Sequence, residues 1–223
     1  MQEWVSTRGV MFTATHLLRR RRFLPLLVTQ LFNAFNDNLY KTTMVLFVVY
    51  AVYNDETTES SFSSLASALF ILPFFILSAL AGQLADMRDK AKIIRTVKMC
   101  EIGLMMIGAA GLYMAWRGIM VHTLAIPLLL LALFLTGVQS TFLGPIKYAI
   151  LPQHLKKDEV LAGTGLVEAG TYIAILMGTI LAGPLAVDYT GWAAMGIIVV
   201  SCIGYMISRQ IPPAPPLGEI EKL

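Results

Sequence analysis

The sequence predicts an all-α integral membrane protein of six transmembrane helices, and three observations predict it. Of 223 residues, 57% are hydrophobic and only 14% are charged, against about 25% charged in soluble domains. Apolar runs recur that reach the roughly 20 residues needed to cross a bilayer. Lys and Arg crowd alternate gaps between these runs, as the positive-inside rule requires of a multi-pass chain.

The helices are expected at about 24–53, 61–85, 92–116, 121–144, 160–187 and 190–210. The first follows Arg19-Arg20-Arg21-Arg22 and is too long for a signal-peptide apolar region, so it should stay in the membrane. The second and third are separated by the charged stretch Asp86–Ala91. The fourth contains the most continuous apolar stretch, Leu128–Leu135, and should bend or end at Pro145, which lacks a backbone donor. The fifth carries Gly170, Ala174, Gly178 and Ala182, a ridge of small residues every fourth position that suits close helix packing. After the sixth, Ile211-Pro-Pro-Ala-Pro-Pro216 cannot continue a helix and reads as a stiff extended linker. The expected organisation is a cytoplasmic segment 1–22, a transmembrane bundle 23–210 and a Pro-rich cytoplasmic linker 211–223.

Arg19–Arg22, Arg88, Lys90, Lys92, Arg95, Lys98, Lys147, Lys156, Lys157 and Arg209 all fall on one side, which places both termini in the cytoplasm. Tyr50, Tyr53, Tyr113, Trp116, Tyr189 and Trp192 mark the opposite interface. Cys100 and Cys202 both lie in apolar runs and offer neither a disulfide framework nor metal-ligand spacing. The formal charge of +3 is small, and no nucleic-acid partner and no metal cofactor is expected.

The most informative stretch is Asn33-Ala-Phe-Asn-Asp-Asn-Leu-Tyr-Lys41, inside the first span. A charge near the bilayer centre costs on the order of 2.5–3.5 kcal/mol, and Asp37 and Lys41 incur that cost twice. Asn33, Asp37 and Lys41 are four residues apart and form one stripe on the helix. Lipid cannot satisfy such a stripe, so it should face a protein interior or a water-filled path. Asn33, Asn36, Asp37 and Lys41 are therefore candidate path residues, with Asp37 paired to Lys41 or available to a coupling Na⁺ or H⁺. Glu168 in the fifth span joins them, because Gly163, Gly165 and Gly170 around it leave room for water or a headgroup. Glu101 in the third span is a further buried acid, equally suited to packing.

Gly82-Gln-Leu-Ala-Asp-Met-Arg-Asp-Lys-Ala-Lys92 resembles the loop signature G-x-L-A-D-[RK]-x-G-[RK]-[RK] of the major facilitator superfamily. Gly82, Leu84, Ala85, Asp86 and Lys90 match; Met87, Asp89 and Ala91 depart from it. Gly82 should let another helix approach closely, and Asp86 should meet a helix N-terminus or a cation, with Arg88 and Lys90 completing a conformational gate. Gly144-Pro-Ile-Lys-Tyr-Ala-Ile-Leu-Pro152, taken with the Asn33–Lys41 stretch, is similar to the bacterial lysophospholipid transporter family within that superfamily. The resemblance implies an N-terminal six-helix half, a missing C-terminal half of six more, and a lysophospholipid substrate moved across the bacterial inner membrane. Independently of the family, Pro145 should hold Lys147 and Tyr148 near the cytoplasmic interface, where a Lys and a Tyr suit a phosphate headgroup or simply snorkel and anchor there. Another small solute as substrate, or the membrane part of a fusion with an acyltransferase, stays open. An enzyme is not expected. None of His16, His122 and His154 has an Asp at H-x-x-x-x-D spacing, and no phosphate-binding Gly loop is present.

Overall fold

In a computed structural model, residues 16–53 and 56–216 are described, with the side chains of 56–59 left aside. All regular structure among the described residues is helical. Six long helices follow in order: α1 Leu24–Leu46, α2 Glu56–Met87, α3 Lys90–Trp116, α4 Ile126–Ala149, α5 Val160–Val187 and α6 Thr190–Ser208. Wider π-type turns extend α1 through Phe47–Tyr53 and precede α4 at Val121–Ala125, and a single turn Leu151–His154 follows α4. Five of these helices are long and apolar enough to cross a membrane. The polar residues at 33–41 keep α1 below that hydropathy.

Several helix starts have a local cause. Pro25 and Pro127 occupy first-turn positions, where a missing N–H costs nothing. Asp89 caps α3, its Oδ1 accepting from the backbone N–H of Ala91 at 2.9 Å and of Lys92 at 3.3 Å. Glu159 precedes α5 and accepts from Lys156 N at 3.0 Å, while Arg22 and Arg20 lie 3.0 Å and 3.5 Å from its oxygens. The Lys156 N–H first, and then the two guanidiniums, hold its carboxyl below the usual range. Pro145 does not end α4, which continues to Ala149. It lies one turn from the helix end, so the lost ladder bond interrupts little.

The packing has an internal symmetry. α1 lies along α5, α2 along α4, α3 against α6 and α4, and α6 against α1. Exchanging α1 with α4, α2 with α5 and α3 with α6 maps each of these contacts onto another in the set. Two inverted three-helix repeats produce that pattern. The two pairings that carry each repeat onto the other are built in the same way. A Cβ at Gly178 of α5 would fall 2.5 Å from the carbonyl oxygen of Phe35 in α1. One at Gly137 of α4 would fall 2.3 Å from the carbonyl oxygen of Phe70 in α2. Both helices thus approach backbone to backbone, and the predicted ridge at 170–182 packs on α1 through Leu31, Phe35 and Leu39.

The apolar core falls into two parts. One, around Tyr40, Met44, Leu112, Leu129 and Ile197, fills the end near the aromatic residues. The other, around Phe23, Leu26, Ile94, Ile146 and Ile150, fills the end near the basic residues. Inside the bundle, hydroxyls turn to backbone carbonyls: Tyr40 donates to Leu129 O at 2.7 Å, and Thr136 and Thr141 to carbonyls four residues back. Beyond α6, residues 212–216 are extended and docked. Lys90 N donates to Ala214 O at 3.0 Å, Ala214 N to Asp89 Oδ1 at 3.2 Å, and Gln153 Nε2 to Pro215 O at 3.2 Å. Residues 217–223 of the expected linker, and 1–15 of the expected N-terminal segment, lie outside the described residues.

Gly178→Ala and Gly137→Ala should each destabilise the bundle by about 1–3 kcal/mol, the usual range for overpacking against a part that cannot yield. Gly103→Ala on α3, where nothing lies within 4 Å, should be near neutral. Thermal unfolding in detergent measures the three, and equal effects would show that the glycine contacts do not set the helix spacing.

Candidate functional site

Between the two apolar parts lies a layer of buried polar side chains. α1 contributes Asn33, Asn36 and Asp37, at spacings that put the first and last on one face and Asn36 on the next. Asn33 Nδ2 donates to Asp37 Oδ2 at 3.1 Å, and Ser140 Oγ of α4 donates to the same oxygen at 2.6 Å. Asn36 Nδ2 points the other way, to Glu101 Oε1 of α3 at 3.0 Å and to the carbonyl of Ile197 in α6 at 3.2 Å. Gln139 of α4 joins the two faces, its Nε2 donating to Asn33 Oδ1 at 3.1 Å and to Glu101 Oε2 at 2.9 Å. Lys98 is ion-paired with Glu101 Oε2, and its Nζ is 3.4 Å from Asn33 Oδ1. Both members of that pair are fully buried. Gly204 of α6 makes the room, since a Cβ there would sit 3.0 Å from Lys98 Cε.

The layer holds two carboxylates and one paired ammonium. Three of its oxygens accept no hydrogen bond: Asp37 Oδ1, Asn36 Oδ1 and Gln139 Oε1. On the side of Asp37 and Ser140 it opens into a cavity of about 240 Å³. Gln30, Asn33, Asp37 and Asn38 line it from α1, Phe70 and Phe74 from α2, Ser140 and Lys147 from α4, and Thr171 from α5. Lys147 Nζ is 3.4 Å from Glu168 Oε1 of α5, and the Tyr148 hydroxyl donates to that same oxygen. This arrangement brings the Asp37 carboxyl, several amides and the Lys147 ammonium to the wall of one cavity, with Glu168 paired to that ammonium, a set of groups suited to a small cation and a charged polar headgroup. Among the described residues no cluster of three or more His, Cys, Asp or Glu side chains could hold a metal ion.

Several expectations change. Asp37 and Lys41 do not pair: Lys41 Nζ instead lies over the Phe70 ring, 5.2 Å from its centre, and Asp37 takes its donors from Asn33 and Ser140. The stripe is real as far as Asp37, but the long Lys41 side chain reaches past it to α2. Lys98 does not belong to the basic surface, because its place one turn before Glu101 directs it inward to that carboxylate. Of the three glycines around Glu168, Gly163 and Gly170 do not open space but receive Leu155 and Leu31 side chains, while Gly165 has nothing within 4 Å. Gly82 has nothing within 4 Å of its Cβ position, so it admits no helix of this bundle. Asp86 is exposed, and the residue that meets a helix N-terminus is Asp89. Arg88 is exposed and Lys90 is buried beneath Ala214.

Lys98, Gln139 and Ser140 were not singled out as site residues from sequence. Glu101 is the signal that could have found Lys98, since a buried acid is stabilised by a cation one turn away on the same helix. The adjacent Gln139-Ser140 interrupts the most apolar helix, as the Asn33–Lys41 stretch interrupts the first. Lys98→Met leaves Glu101 buried without its cation and should cost about 3–5 kcal/mol. Adding Glu101→Gln should recover most of that loss. Detergent melting temperatures compare the two, and a double variant no more stable than the single would show that the pair is not the source of the loss.

A model of the Major Facilitator Superfamily matches residues 26–221. The chain is also similar to curated proteins named lysophospholipid transporter LplT. It is 26% identical to that of Enterobacter sp. (strain 638) over 189 residues, 85% of this chain and 42% of the relative. It is 26% identical to that of Cronobacter sakazakii (strain ATCC BAA-894) over 193 residues, 86% of this chain and 43% of the relative. The chain thus spans less than half the length of the curated relatives it matches. No solved structure matches it significantly. With its family model covering nearly all of it and its helices packed as two inverted repeats, the chain belongs to the Major Facilitator Superfamily.

Proposed function

We propose that this chain is the N-terminal six-helix half of a secondary transporter that moves lysophospholipids, such as lysophosphatidylethanolamine, across the bacterial inner membrane by alternating access. The observation that carries the reading is the buried polar layer in which Asp37, one of its oxygens unpaired, lines a cavity. Polar groups of this kind inside a membrane bundle mark a substrate or ion path. The similarity to proteins named lysophospholipid transporters supports the substrate class. α1 is then the sixth span, carried through the membrane because its polar side chains turn inward.

Two faces support a missing partner half. The most hydrophobic stretches of α2 and α5 are the least buried of the five apolar spans, and large apolar residues such as Phe75, Ile76, Leu161 and Tyr172 lie bare on them. α2 and α5 border the cavity with α1 and α4, so a second six-helix bundle against them would close it into a central path. Asp86, exposed at the basic end, is free to contact that second half and act as a gate with Arg88. Asp37 is the coupling site, taking Na⁺ or H⁺ at the oxygen that Asn33 and Ser140 leave open.

The basic end is cytoplasmic in this reading. After Cys100→Ser and Cys202→Ser, a cysteine at exposed Ile119 should react with a membrane-impermeant maleimide applied from outside, and one at exposed Asp158 should not. The reverse pattern would overturn the orientation.

Asp37→Asn should fold, because an amide can keep the contacts to Asn33 and Ser140. It should equilibrate lysophospholipid downhill in proteoliposomes of the full-length carrier and fail to accumulate it under a Na⁺ or proton gradient. Gradient-driven accumulation at the wild-type level would remove Asp37 from coupling.

A further inference from the structure

We infer that Lys147 and Glu168 form a headgroup-reading ion pair that selects a phosphate followed by a primary ammonium, the inference resting on the lysophospholipid reading above. The pair stands at the rim of the cavity. Lys147 lines it, and Glu168 lies one turn along α5 from the lining residue Thr171. Both side chains are reachable, at 18% and 34% exposure. Their geometry is that of a pair held open. Lys147 Nζ and the Tyr148 hydroxyl both address Oε1 of Glu168, and among the described residues Oε2 accepts from none. Lys147 also rests on the Tyr148 ring, 4.6 Å from its centre, so its ammonium stays in place when it gives up the carboxylate.

Among the described residues, Lys147 is the one Lys or Arg that lines this cavity. Arg20 and Arg22 hold Glu159, and Lys98 is sealed against Glu101. A phosphate entering at this rim therefore meets Lys147, and on binding it would draw that ammonium from Glu168. An anionic headgroup would leave the Glu168 carboxylate uncompensated in a partly dry site. A headgroup that carries its own ammonium two carbons from the phosphate replaces both partners at once, with Lys147 on the phosphate and Glu168 Oε2 on the ammonium. The exchange keeps the site neutral, so the pair favours the zwitterion over an anion of the same size.

The test uses the full-length carrier in proteoliposomes, with radiolabelled lysophosphatidylethanolamine, lysophosphatidylglycerol and the soluble headgroup glycerophosphoethanolamine. Glu168→Gln keeps an acceptor for Tyr148 and should lower lysophosphatidylethanolamine uptake on the order of tenfold, the effect of losing one charge-assisted hydrogen bond. Lysophosphatidylglycerol uptake through the same variant should hold or rise, which also reports that the variant is folded. Lys147→Met should lower both lipids. If wild type also carries glycerophosphoethanolamine, with the same sensitivity to Glu168→Gln, the free headgroup is a source of the same chemistry and the subsite stands. Equal loss of both lipids in Glu168→Gln, or loss of neither, overturns the subsite and leaves the transporter reading intact. Uptake of neither lipid by wild type overturns that reading and the subsite with it.

Discussion

In hydrocarbon, an unsatisfied backbone or side-chain polar group has no water to turn to, and this bundle is arranged around meeting that demand at one level. Glu101 is the centre of the arrangement. Its carboxylate receives Asn36 from α1, Lys98 from its own helix and Gln139 from α4, while Asn36 also reaches the backbone of α6. Three helices meet at one acid, and Asn36 ties in a fourth. Individual hydrogen bonds between membrane helices average only about 0.6 kcal/mol, so the joint is not chiefly a source of stability. Its effect is specificity: rotating α1 or shifting α3 by one residue would strand the Lys98–Glu101 charges that the observed register satisfies.

The remaining two helices are held differently. α2 and α5 contribute nothing to the Glu101 joint. They are fixed by close approach, α2 against Gly137 of α4 and α5 against α1 through Gly178. Polar bonding thus organises the interior, and small-residue packing attaches the two helices that bound the open side. The division explains why α2 and α5 have the barest surfaces and can be apolar almost all round. It also explains why Glu168, on α5, is free of the interior network and pairs with the rim residues Lys147 and Tyr148.

Much of this was legible in the sequence, for identifiable reasons. Helices were readable from apolar length, and the small-residue ridge from its period of four, because both depend on spacing alone. Asn33, Asn36 and Asp37 were readable because polar residues in lipid have nowhere else to go. The partners were not. Lys41 and Asp37 satisfy the spacing of a helical ion pair, but spacing cannot show that Phe70 lies within reach of the lysine, or that Ser140 lies within reach of the aspartate. Lys98 was counted with the surface because it follows four other basic residues, and only its turn toward Glu101 separates it from them. Gly82 and Asp86 fit a loop signature, but a signature cannot show that nothing in the described residues packs on Gly82 or that Asp86 is exposed.

The two kinds of attachment constrain how such a half can move. A path that opened by turning α1 alone would break Asn36 from Glu101 and Ile197 and leave the Lys98–Glu101 pair with only the Gln139 amide, in a medium that cannot replace the ones lost. Sliding α5 along α1 would drive the Gly178 contact into the α1 backbone. Neither motion has a second resting place among these side chains, and bistable motions require two. The soft boundary lies outside the bundle, on the bare faces of α2 and α5 and the exposed turn at 86–88, where no bond has to be exchanged. Rocking of the whole six-helix unit against a partner meets the least resistance, and it carries Asp37 and the Lys147–Glu168 rim together past whatever lies opposite. In that geometry the proposed ion and headgroup sites would keep a fixed separation while their access to either side of the membrane changes.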